Sequence, residues 1–127
     1  MKRDWDLIRA ILVAAEEKQP GEMLFAGELP DWPKPIVNAH FELLKDAGYV
    51  HAAIIRGLGA GSDPVVAAHI SAITNAGYDL LATLRSKDVW ERTKVIAKDK
   101  GLDLSFEVVK QIGKVALAHA LGAIGAG

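Results

Sequence analysis

The sequence predicts a mainly helical α+β domain, and three observations carry that expectation. Residues 34–48, KPIVNAHFELLKDAG, repeat apolar side chains at helical spacing and end in a glycine. Two strand-like runs, 49–56 and 65–73, flank the turn cluster GLGAGSDP. Apolar helical periodicity returns near both ends of the chain, in 4–18 and again after Ser105. A helix handed directly to a two-stranded hairpin is the passage a winged-helix domain makes between its third helix and its wing. The expected architecture is therefore a winged-helix (helix-turn-helix-like) core over about 1–86, with two extra C-terminal helices over about 87–127. All of it fits one domain of 127 residues.

The first helix is expected over Asp4–Lys18, with Trp5, Ile8, Ile11, Leu12 and Ala15 inward. Asp4 and Asp6 sit at the positive end of its dipole, Lys18 at the negative end, and Gln19-Pro20-Gly21 stops it. Residues 22–35 offer at most a short strand at Glu22–Phe25 and then a turn-rich loop, with Leu29 and Trp32 as anchors. A standard winged helix has a second helix here, and this stretch supplies at most one short turn. In the next helix Val37, His40, Phe41, Leu44 and Ala47 form the buried stripe. Pro33 and Pro35 suit its first turn, and Gly48 is its natural C′ residue. The opposite face offers Lys34, Asn38, Glu42, Lys45 and Asp46, a balance of charge that suits phosphates poorly.

Tyr49, Val50, Ile54 and Ile55 favour a strand, Gly57–Pro64 its turn, and Val65–Ile73 the return. Thr74 is expected to cap a helix running to Arg85, with Leu81 and Leu84 buried. Ser86 or Asp88 caps the next, which turns Val89, Trp90 and Ile96 inward and ends at Gly101. Ser105 caps the last helix, whose stripe is Val108, Val109, Ile112, Val115, Ala116 and Leu121. The tail GAIGAG is expected to fray.

Half the chain is apolar, ample for a core, and the formal charge is -1. Near-neutrality removes the simplest argument for nucleic-acid binding. The chain has no cysteine, which excludes disulfides and thiolate chemistry and suits a reducing cytoplasm. Asp4, Asp6 and Arg9 break the N-terminal apolar run, so it does not read as a secretory signal. No apolar run approaches the roughly 20 residues that span a bilayer. No membrane association is expected.

Four stretches together resemble a family of small uncharacterised proteins of bacterial phages and prophages, a domain of unknown function similar to winged-helix proteins. They are KRDWDLIRAIL, NAHFELLKDAGYV, AITNAGYDLLATLRSKDVWERTK and LSFEVVKQIGKVAL. The third carries Gly77, Asp79 and Trp90 at the family's positions. The glycine- and alanine-rich wing and the paired prolines before the long helix depart from the pattern. The resemblance implies the fold and brings no catalytic residues.

The residues themselves point the same way. The four histidines, His40, His51, His69 and His119, form no metal-ligand spacing, and His40 reads as a core imidazole. The glycines of RGLGAGSD precede a proline and a strand-like run, not the helix N-terminus that a phosphate loop needs. Neither a catalytic residue nor a cofactor is expected, and the chain is not read as an enzyme. Lys34, Asn38, Lys45 and Arg56 are the candidate nucleic-acid contacts, while Lys2 and Arg3 extend a weak basic rim for which ordinary surface charge is the favoured reading. Val115, Leu117, Leu121 and Ile124 are the candidate partner interface, since the last helix carries apolar residues on more than one side. Two functions follow as expectations. One is a phage-type regulator on duplex DNA; the alternative is a protein-interaction module that dimerises or inhibits a host protein.

Overall fold

The computed structural model describes residues 1–57 and 65–125, with side chains as far as Gly122. The expected hairpin tip, and the side chain of Ile124 with the rest of the tail, lie outside the described residues. The chain divides into two compact units, residues 1–78 and 79–127. It is mainly helical α+β, with one small antiparallel sheet. The division falls inside a helix.

In the first unit, helix α1 spans Trp5–Glu16. Asp4 starts it, its Oδ1 accepting from the Leu7 N–H at 3.0 Å. The buried residues are Leu7, Ile8, Ile11 and Leu12, whereas Trp5, expected inside, is half-buried. Strand β1 is only Leu24–Phe25, and a 3-10 turn, Ala26–Glu28, follows. That turn stands where a standard winged helix has its second helix. The Glu28 carboxylate fixes it by accepting from the Phe25 N–H at 2.8 Å and pairing with Lys18.

Helix α2 spans Lys34–Asp46 and ends as the glycine requires. Gly48 takes φ 83°, its N–H donates to the Lys45 carbonyl, and the Tyr49 N–H reaches back to Leu44. This double closure satisfies carbonyls that the helix end leaves open. The chain then enters β2, Val50–Arg56, which pairs antiparallel with β3, Val65–Ile73. β1 joins the far side of β3, so the strand order is β1-β3-β2. Helices α1 and α2 both pack on this sheet, and Val37, Phe41 and Leu44 are fully buried.

His40 is a core imidazole, fully buried. Its Nε2 accepts from the Asp4 backbone N–H at 2.9 Å, so Nδ1 carries the proton and donates to the Ile36 carbonyl at 2.8 Å. Asp4 also accepts the Trp32 indole N–H at 3.0 Å on Oδ2. One aspartate thus joins the start of α1, the middle of α2 and the loop between them. Leu29, the other expected anchor, is buried.

Thr74 caps helix α3, Asn75–Arg85. Its hydroxyl accepts from the Gly77 N–H at 3.1 Å and donates to the Gly48 carbonyl at 2.6 Å, tying the end of α2 to the start of α3.

In the second unit, Ser86 caps α4, Lys87–Asp99, and Ser105 caps α5, Phe106–Gly125. Gly101, at φ 66°, closes α4 as Gly48 closes α2. Val89, Thr93 and Ala97 of α4 are buried, and so are Val109, Ile112 and Ala116 of α5, the helix packed against it. Trp90 and Ile96, expected inward, are only half-buried, and Lys94 lies over the Trp90 ring at 5.6 Å. A methyl at Gly113 would stand 2.8 Å from Thr83 Cγ2, so α5 passes α3 closely at that point.

Candidate functional site

The four expected nucleic-acid contacts do not gather into one surface. Lys34 is exposed at the start of α2, near Gly27 of the 3-10 turn. Asn38 is not on the outward face. It is only 7 % exposed, and its Oδ1 has no hydrogen-bond partner among the described residues. The reason is that α2 is the central element of its unit, touching α1, the 3-10 turn, β2 and β3. Its buried arc is therefore wider than the apolar stripe alone suggests. Arg56 pairs with Glu42, so at least part of its charge is met within the protein. Lys45, exposed in the last turn of α2, joins a different neighbourhood.

That neighbourhood is a groove of about 500 Å³ in the first unit, lined by Lys45, Gly48, Val50, His51, Ala52, Ala53, His69, Ser71 and Thr74. Strand alternation creates its floor. With Leu24, Ala68 and Ile70 turned to the helices, Phe25, Ala53 and His69 take the opposite face. Phe25 pairs with His69 in register, and their rings lie 5.6 Å apart at 50°. The ladder shifts between His51 and Ala52, leaving Ser71 without a strand partner. Its hydroxyl donates instead to the His51 carbonyl at 3.3 Å. Sequence reasoning assigned His51 and His69 no role, because their spacing along the chain does not show that their strands pair.

The second candidate surface is on α5. Leu117 and Leu121 lie one turn apart and are 37 % and 59 % exposed. Val115, expected in the buried stripe, is 62 % exposed on the other flank. Among the described residues Val109, Ile112, Gly113 and Ala116 are the buried ones of α5, and Val115, Leu117 and Leu121 are left outside.

Among the described residues no group of three or more His, Asp or Glu gathers as metal ligands, and no helix is long and apolar enough to cross a membrane.

These features define a small, mainly helical α+β protein with two candidate binding surfaces. The chain belongs to the family described as hypothetical protein DUF2513, a domain of unknown function, whose model matches residues 2–103. A protein of Haemophilus influenzae described as uncharacterized is 34% identical over 125 residues, covering 95% of this chain and 99% of its own length. No solved structure matches the chain. The family match ends before α5, whereas the Haemophilus relative extends across nearly the whole chain.

Proposed function

We propose that the chain is a non-catalytic protein-interaction module on a winged-helix scaffold, and that α5 docks it to a second copy of itself. The element order α1-β1-turn-α2-β2-β3 with strand order β1-β3-β2 supports the scaffold. The exposed pair Leu117 and Leu121 carries the functional reading. From Val115 to Gly122 the sequence holds no Lys, Arg, Asp or Glu, so none of these charges opposes burial of Leu117 and Leu121 against an identical face. The two leucines at i and i+4 give the self-complementary ridge that an isologous contact uses. A cysteine-free chain makes the test clean. Leu117→Cys or Leu121→Cys should form a covalent dimer on mild oxidation, while Lys34→Cys should not. If neither leucine position links, or all three link equally, the interface is not on α5.

A phage-type DNA-binding regulator is the second reading, and one observation favours it. Lys34 and Lys45 are both exposed on α2, the element that a winged helix lays in the major groove. Against it, Asn38 is buried, Arg56 is paired, and acidic residues outnumber basic ones in the first unit. Retention on duplex DNA at low salt, falling steeply with added salt and lost in Lys45→Glu, would establish it. The lack of cysteine fits either role in a reducing cytoplasm.

A further inference from the structure

The geometry points to the groove beside Lys45 as a phosphate-binding site whose ligand is a nucleotide. Its polar lining is one ammonium, two imidazoles and two hydroxyls, and no carboxylate lines it among the described residues. The hydroxyls already have uses. Ser71 donates to the His51 carbonyl, and Thr74 donates to Gly48 while accepting from Gly77. The supply of free donors is therefore the Lys45 ammonium and the rings of His51 and His69, each of which offers an N–H in either tautomer. A lining with these donors and no carboxylate suits an oxyanion. A charge-assisted bond from Lys45 would be the strongest contact.

The floor beyond the donors selects the rest of the ligand. His69 lines the groove, and beside it, just outside the lining, Phe25 is 51 % exposed on β1, the two rings 5.6 Å apart and tilted at 50°. Ala53, the strand partner of His69, is small and keeps the floor open beside that ring. A planar base can lie over an exposed aromatic, and such stacking tolerates any base. A volume of about 500 Å³ is in the range of a small-molecule site. A free nucleotide and the backbone of a nucleic acid both carry such a phosphate, and the experiment separates these sources.

The test is an amide-resolved NMR titration of the full chain with inorganic phosphate, adenosine monophosphate and a short DNA duplex. Saturable shifts are expected at Lys45, Gly48, His51, His69 and Ser71, with the mononucleotide effective at about tenfold lower concentration than phosphate alone. Lys45→Glu should abolish the shifts for every probe, and because Lys45 is exposed the variant should keep its unfolding midpoint. Phe25→Ala should erase the mononucleotide's advantage and leave phosphate binding intact. Lys45-dependent shifts confined to the duplex would assign the phosphate to the nucleic-acid backbone, and the nucleotide ligand would be overturned. Absence of saturation by all three probes, or shifts unchanged in Lys45→Glu, would overturn the site itself. Neither result bears on whether α5 dimerises.

Discussion

Single residues decide how tightly the first unit closes. A side chain at Gly77 would run into the Tyr49 carbonyl oxygen and stand 2.6 Å from Ile73 Cγ2, so backbone would have to move. Gly77→Ala is expected to destabilise by about 2–3 kcal/mol, the scale of overpacking against a rigid neighbour. Gly48 and Gly101 face open space and need glycine only for their positive φ. Alanine there should cost less, about 1 kcal/mol. Urea unfolding of the three variants checks the ranking, and equal losses would mean that the Gly77 contact is relieved at little cost. The Lys18–Glu28 pair sets a pH signature. The hydrogen bond from Lys18, then that from the Phe25 N–H, holds the Glu28 carboxyl below its ordinary 4.5. The same bond to Glu28 holds the Lys18 ammonium above 10.5. Glu28's contribution is therefore complete above pH 4.5 and lost as pH falls through its lowered value. Lys18's is complete below pH 10.5 and lost as pH rises past its raised value. Wild type should exceed Glu28→Gln by a small, salt-sensitive margin at neutral pH that vanishes in acid. Unfolding midpoints measured across that range would show it, and a margin that persists in strong acid would rule out the charge pair as its cause.

At the scale of elements, what was legible in the sequence was what local chemistry determines. Thr74, Ser86 and Ser105 cap where their hydroxyls can reach an N–H three residues on, and Gly48 and Gly101 end helices because they tolerate positive φ. The helix-to-strand passage at Gly48 followed from the same logic. What was not legible depended on neighbours distant in sequence. Asn38 sits on the polar side of a helical wheel, yet α2 is enclosed by four elements. Val115 and Leu121 sit on an apolar stripe, yet α5 buries a narrower one. The groove required knowing that β3 lies between β1 and β2, which no residue spacing states. The last helix now makes an element-level prediction. Leu121→Asp adds a charge at an exposed position, so helix content by circular dichroism should stay unchanged while self-association is lost. Loss of helix together with association would show that Leu121 holds the second unit together instead.

For the whole molecule, the division of labour follows the two compact units. The first provides a part-buried Asp4–His40–Trp32 junction, a small sheet and the Lys45 groove. The second provides a helical pair with leucines left in water. The family match stops at residue 103, before α5, so the proposed dimerisation rests on this chain's own last helix and not on the matched region. The central claim is that α5 holds two copies together. Light-scattering mass of the intact chain across a dilution series tests it most directly. The expected result is twice 13.6 kDa at high concentration, relaxing toward 13.6 kDa on dilution. A mass of 13.6 kDa at every concentration would contradict it.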